Sequence, residues 1–389
     1  MKYISKSIST LLVFLFVFSL HFSGKEMRIG ILRNVKIKQV SFKVDSGSYT
    51  INSSQTHHLL KGNSLKIYHH NQKVKVKYQD HSIADFDTLY ITPNSEDAIF
   101  SIKGINPGFS ERKYYAKLKV FVQNGYLTLI NQINLEKYII GVLESEVGLN
   151  RTKDFYKVQA VISRTYALKN QYKFLHEGFH LTDLVNCQVY KGRMYKDTTI
   201  KKAVEETKDL VLVDENMEYI TAAYFSNSGG QTNNVEDVWL KALPYLRSIH
   251  DPYSIDCSNY TWVKTINKAK WLNYLKTKYK YPVDNPEAVN AACNFKQEIR
   301  HKYLVDWVYQ IPLKEIRTDW KLKSTYFTIS ENEDVLTFNG KGFGHGVGLS
   351  QEGAMKMIDL GYDFLDVLRF YYTDVHLINL SMRDFYLID

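Results

Sequence analysis

Glycine stands at every second position from Gly342 to Gly348, in the run Gly342-Phe343-Gly344-His345-Gly346-Val347-Gly348-Leu349-Ser350-Gln351-Glu352-Gly353. Glycine gives up more backbone freedom on folding than any other residue, so four at spacing two are not the pattern of an ordinary helix or strand. They call for unusual dihedrals, or for a backbone that something approaches closely. His345 sits in the middle without bulky neighbours, and Ser350-Gln351-Glu352-Gly353 opens an amphipathic helical pattern. The run reads as a site rather than a structural turn.

Around it is a chain of 389 residues, long enough for one large domain or two to three smaller ones. Its 29 tyrosines and 20 phenylalanines suit a β-rich fold with aromatic surfaces of the kind sugar-binding clefts use, although most are expected simply to fill sheets. The net charge of +9 is spread through the chain. That balance suits a negatively charged envelope, and no Lys/Arg block or nucleic-acid motif points to nucleic acid. Lys2 and Lys6 precede an apolar stretch over residues 11–22, too short for a membrane span of about 20 residues. Residues 1–24 are therefore read as an export signal, with an uncleaved membrane anchor as the other reading. The protein is expected in the periplasm, in the cell envelope or outside the cell. Cys187, Cys257 and Cys293 do not make a disulfide framework, and Cys257 with Cys293 is the pair open to an exported protein.

From residue 27 to 133 short alternating runs predict half-buried strands, among them Ser64-Leu-Lys-Ile-Tyr68, Val74-Lys-Val-Lys-Tyr78 and Leu118-Lys-Val-Phe-Val122. Asn124-Gly125 between two such runs predicts a hairpin, because both central positions of that turn favour positive φ. The character changes at Asn134. Helices are expected over 135–143, over 154–176 with Asp154 as cap, and over 197–207. Strands follow at 210–213 and 219–225. Residues 251–323 read as an inserted or accessory segment with a helix at 268–278. Residues 324–389 return to strands at 326–330 and 335–339 and end in helices at 350–360 and 363–372. The fold class is mixed α+β: a β-rich N-terminal region (27–133), then a helix-plus-sheet body over 134–250 and 324–389.

Several blocks carry chemistry. In Gly141-Val142-Leu143-Glu144-Ser145-Glu146-Val147-Gly148 two carboxylates lie two apart, a spacing that points them to different sides of a helix. One of them faces a cleft, or both belong to a solvated helix end. Arg164, alone on an apolar helix, needs a carboxylate partner, so it serves either a structural salt bridge or substrate binding. Asn186-Cys187-Gln188-Val189-Tyr190-Lys191-Gly192 reads as a short strand and turn. Tyr224-Phe225-Ser226-Asn227-Ser228-Gly229-Gly230 reads as a strand entering a polar loop that presents hydroxyls and amides to a ligand. His180, Asp183 and Cys187 supply too few ligands for zinc. Ser226 or Ser228 with His345 is a thinkable nucleophile and base, but no Gly-x-Ser-x-Gly elbow is present.

Taken in order, the blocks Leu135-Glu-Lys-Tyr-Ile-Ile-Gly-Val-Leu-Glu-Ser-Glu146, Gln159-Ala-Val-Ile-Ser-Arg-Thr-Tyr-Ala167, Gln188-Val-Tyr-Lys-Gly192, Tyr224-Phe-Ser-Asn-Ser-Gly-Gly230, Val238-Trp239, Pro244-Tyr-Leu246 and Gly342-Phe-Gly-His-Gly-Val-Gly-Leu-Ser-Gln351 resemble the stage II sporulation protein D and amidase-enhancer family. The resemblance covers residues 134–375. It implies an α+β body around a glycan cleft and lytic transglycosylation of peptidoglycan strands stripped of stem peptides. By resemblance the catalytic acid is Glu146, not Glu144. Val147-Gly148 stands where Met-Pro is common, and Cys187 lacks the nearby second cysteine that some relatives use for metal, so neither metal nor cofactor is expected.

The resemblance also suggests roles for other residues. Arg164 would orient Glu146 or bind the lactyl or acetamido group. Gln188, Tyr190, Ser226 and Ser228 would hydrogen-bond sugar hydroxyls. Gly344 and Gly346 would let the glycan lie close, with His345 donating to it and Gln351 facing the same cleft. The alternative function is a non-catalytic glycan-binding module that recruits or enhances a cell-wall amidase.

Overall fold

The computed structural model describes residues 25–79, 81–192, 198–239, 241–305 and 309–386, and the expected export signal lies outside them. The chain is mixed α+β with a β-rich N-terminal region. Two sheets make that region. In one, Glu26–Ile31, Tyr126–Asn134, Lys117–Gln123, Thr88–Pro93, Ser48–Asn52 and Thr56–Leu60 lie side by side; in the other the order is Arg112–Tyr115, Ile99–Asn106, Gln39–Ser46, Ser64–His70, Lys73–Tyr78 and His81–Phe86. The alternating apolar residues are the reason: Leu65 and Ile67 or Val74 and Val76 turn inward while their lysine neighbours turn out. Phe42 and Phe100 stack at 5.1 Å between the sheets. Asn124 and Gly125 have φ of 52° and 76°, the left-handed pair that the Gln123–Tyr126 hairpin requires.

The N-terminal core continues past the last strand. Leu135, Tyr138, Ile139, Val142 and Leu143 of helix α1 (Leu135–Glu146) pack into it, so the sheets form the bed of α1. Asn134 caps α1 by accepting the Glu136 N–H. The helix runs past Leu143 because the Val147 N–H still reaches the Leu143 carbonyl at 3.0 Å. Helix α2 (Lys153–Lys169) begins at Thr152, whose hydroxyl accepts the Phe155 N–H, rather than at Asp154. It ends at Asn170 rather than at 176, where a tight turn leads to left-handed Gly178. Phe155, Val158, Val161 and Ile162 on α2 join a second core with Val347, Leu349, Met357 and Leu368. The strand expected over 219–225 is reduced to Tyr224–Phe225, which pairs in parallel with Leu349–Ser350.

A third core, centred on Trp271, belongs to the accessory unit. Strands Thr261–Asn267, Val335–Lys341 and Tyr326–Asn332 form its sheet, covered by helices Lys268–Tyr279, Pro286–Cys293 and Leu313–Asp319. The two strands after residue 323 therefore pack with the accessory unit. Cys187, Cys257 and Cys293 are all free thiols, so the Cys257–Cys293 pair is not formed.

Candidate active site

Helix α1 ends at Glu146, and Glu146 lines a cleft of about 610 Å³. The other walls are Val185, Asn186 and Cys187, the segment 221–226, Tyr166, Trp239, Arg317, Phe343, Gly344, His345 and Gln351. The spacing of two separates the paired carboxylates: Glu144 is buried beside a different, small recess with Lys137 and Tyr190.

Glu146 is half-buried, and its Oε1 accepts the Val189 N–H at 2.6 Å. Burial pushes its carboxyl above the ordinary value, against the opposing pull of the Val189 N–H, the Lys191 ammonium and the Tyr224 hydroxyl. The C-terminal end of α1, with its partial negative charge, also favours the neutral acid there.

The glycine run forms a seam against residues 223–233. Gly344 has φ of 122°, and a Cβ there would meet the Phe225 Cβ at 2.7 Å; Gly348 has φ of 77°, and its Cβ would meet the Ala223 carbonyl oxygen at 2.2 Å. The close approach read from the spacing is thus made by the protein's own backbone. His345 is held within this seam. Its Nδ1 accepts the Val347 N–H at 3.0 Å, which assigns the proton to Nε2, and Nε2 lies 3.0 Å from the Tyr224 carbonyl that takes it. Burial, with the nearby Arg317 charge, lowers the imidazole pKa to about 4, so the ring is neutral. With both nitrogens committed to backbone, His345 has no N–H left to donate to a glycan and no lone pair left to act as base for Ser226 or Ser228. Its ring instead joins an aromatic wall, with centroids 5.2 Å from Trp239 and 5.3 Å from Phe225.

Of the other residues expected at the site, Gly344, Ser226 and Gln351 line the cleft. Arg164 does not. It is fully buried and holds Glu136 with two bonds of 2.8 and 2.6 Å and the Leu210 carbonyl with a third of 2.9 Å, tying α1, α2 and the strand Leu210–Val213 together. The structural salt bridge is the reading that holds. Gln188 and Tyr190 also turn inward: Gln188 Oε1 accepts the Tyr138 hydroxyl and the Tyr190 hydroxyl donates to Asn131 Oδ1. Their segment is an irregular loop, not a strand, and it meets the cleft through Asn186 and Cys187 and through the Val189 N–H. Ser228 is buried, its hydroxyl accepting the Gly230 N–H. Gly346 is buried as well, its carbonyl taking the Asn233 N–H at 2.6 Å.

Sequence reasoning missed Tyr166, Tyr224, Trp239, Phe343 and Arg317. The four aromatic residues lie inside the blocks already singled out, so a signal existed. Arg317 comes from the accessory unit and had none. Among the described residues, no group of three or more His, Cys, Asp or Glu side chains is placed to hold a metal ion.

Comparison with known proteins adds a lineage. Over residues 123–213 the chain matches the SpoIID family profile, described as Stage II sporulation protein. It is 32% identical over 261 residues to Stage II sporulation protein D of Bacillus subtilis (strain 168), covering 62% of this chain and 74% of that protein. The protein of the same name from Bacillus amyloliquefaciens is 30% identical over 263 residues, 63% of this chain and 74% of its own length. The amidase enhancer of Bacillus subtilis (strain 168) is 27% identical over 285 residues, 60% of this chain and 39% of that protein. The profile's span takes in α1, α2 and Val189; the glycine run and Arg317 fall outside it.

Proposed function

The chain belongs to the stage II sporulation protein D family, and from that premise we propose that it is an exported lytic transglycosylase cleaving the β-1,4 bond between N-acetylmuramic acid and N-acetylglucosamine in peptidoglycan strands. One observation carries the reading: Glu146 is the sole carboxylate among the described residues lining the cleft, and burial holds it toward the protonated form.

A glycoside hydrolase works with two carboxyl groups, the second serving as nucleophile or activating water. Intramolecular attack does without the second. Glu146 gives its proton to the glycosidic oxygen, the bond from C1 of the muramoyl residue to that oxygen breaks, and the glucosamine leaves with a free 4-hydroxyl. The muramoyl 6-hydroxyl closes on C1 and returns its proton to Glu146, giving a 1,6-anhydro end. Both reacting atoms sit on one sugar, so proximity is supplied by the substrate. The same carboxyl group acts first as acid and then as base. Trp239, Tyr224, Phe225 and Phe343 provide apolar faces for the sugar rings and keep water from the carboxyl.

A second reading is favoured by the relative named amidase enhancer: a glycan-binding module that recruits or stimulates a cell-wall amidase without cutting. Mass spectrometry of peptide-stripped glycan strands incubated with the protein separates the cases. Anhydromuramoyl ends are expected. Reducing ends would mean hydrolysis, and binding without products would favour the module.

A further inference from the structure

Glu146 has one charged counterpart across the cleft. Among the described lining residues Arg317 is the only Lys or Arg, and it is delivered by the helix Leu313–Asp319 of the accessory unit, far along the chain from α1. Its guanidinium is half-buried, and its Nε donates to the Lys323 carbonyl at 3.2 Å. The carboxylates on its own helix are already engaged: Glu315 and Asp319 both pair with Lys278, at 2.9 and 2.6 Å. Glu136 and Glu236, the acids of the neighbouring elements, pair with Arg164 and Arg247. Arg317 is thus a desolvated cation facing a cavity, without a carboxylate partner among the described ion pairs. Burial of that kind is unfavourable until an anion arrives.

The guanidinium presents a planar fork of N–H donors that matches a carboxylate. A peptidoglycan glycan strand offers one carboxylate per muramoyl unit, on the lactyl ether, and only after the stem peptide has gone. While the peptide is attached, that carbonyl is a neutral amide. We propose that Arg317 is a specificity-determining residue that binds the free lactyl carboxylate of a muramoyl unit lying in the cleft, so that the protein selects strands from which an amide-hydrolysing reaction has already removed the peptides. Exposed Lys323, its ammonium 5.6 Å from the Phe343 ring, adds to the positive potential at the rim. The accessory unit thereby gains a role: it supplies the charge that the body of the protein lacks at this cleft.

This proposal rests on the glycan-cleaving reading, and the test separates the two. Titration calorimetry on the full chain carrying Glu146→Gln compares a peptide-free GlcNAc–MurNAc tetrasaccharide with the same sugar whose lactyl carboxylates are converted to carboxamides. The acid form is expected to bind about ten- to a hundredfold tighter, the scale of a hydrogen bond to a charged group. Adding Arg317→Met should remove most of that preference while leaving carboxamide affinity unchanged, and Arg317→Lys should keep part of it. Equal affinity for acid and carboxamide, with wild-type protein still producing anhydro ends, overturns the role of Arg317 and leaves the activity standing. Failure to bind either sugar, together with no cleavage by the wild type, overturns both. The acid-against-carboxamide comparison is made with Arg317 in place, so it does not depend on any Arg317 variant folding.

Discussion

The main-chain N–H of Val189 donates to Oε1 of Glu146 at 2.6 Å, joining the last residue of α1 to the loop that follows Cys187. The bond fixes the direction of the carboxyl and leaves Oε2 free of that contact. It also favours the charged form, yet burial acts more strongly in the other direction.

Replacing Glu146 with Gln keeps an acceptor for Val189 and removes the proton donor. The expected loss in kcat is about 10²- to 10⁴-fold, the usual weight of general acid–base catalysis, with glycan affinity nearly unchanged. Turnover is assayed by release of anhydromuramoyl ends and affinity by calorimetry. In the wild type the rate should decline with rising pH at a point above the ordinary glutamate range, since only the protonated acid starts the reaction. Full turnover by the Gln variant would remove Glu146 from the chemistry.

The same substitution bears on stability. The folded-state pKa of Glu146 lies above the unfolded value near 4.5, so the native state binds more protons. Stability then falls as pH rises from that unfolded value through the folded one, and the full penalty is present above both. The Gln variant escapes it. Its melting temperature at pH 7 should equal or exceed that of the wild type, with the difference closing below pH 4.5. A clearly lower value at pH 7 would mean that the charged bond to Val189 outweighs burial.

His345 acts as a strut. His345→Ala leaves the Val347 N–H and the Tyr224 carbonyl without their partner, a loss of about 1–3 kcal/mol for each group that stays dry. The depressed pKa, about 4 against 6.5, means that the unfolded chain takes up a proton the native ring refuses. Wild-type stability should therefore drop as pH falls from 6.5 towards 4, and the alanine variant should lack that component. Urea melts across this window test both statements. An imidazole that titrates near 6.5 by NMR would contradict the buried, doubly bonded ring.

Arg164 is a test of architecture. Arg164→Ala strands Glu136 and the Leu210 carbonyl, and breaking one partner of a buried ion pair costs about 3–5 kcal/mol. Denaturant midpoints should move accordingly, while KM for glycan, measured on the fraction that remains folded, should hold. A large rise in KM without destabilisation would restore Arg164 to the cleft.

Much of this was readable along the chain. The paired strands on either side of Asn124-Gly125, the helix after Asn134 and the capped helices at Ser350 and Asp363 follow from periods, caps and turns. The separation of Glu144 from Glu146 follows from helical spacing alone. Boundaries were less legible: Asp154 looked as good a cap as Thr152, because either side chain can accept an early N–H of α2.

The sequence by itself determined the α+β class, the hairpin, the helix that ends at Glu146 and the need for glycine between 342 and 348, since each depends on contacts within a few residues. Tertiary structure alone decided that Arg164 faces Glu136, that Gln188, Tyr190 and Ser228 point inward while the Val189 N–H points out, that the glycines close on residues 223–233, and that Arg317 arrives in the cleft. Those outcomes depend on which surfaces bury one another, and irregular loops carry no period from which a side chain's direction can be read.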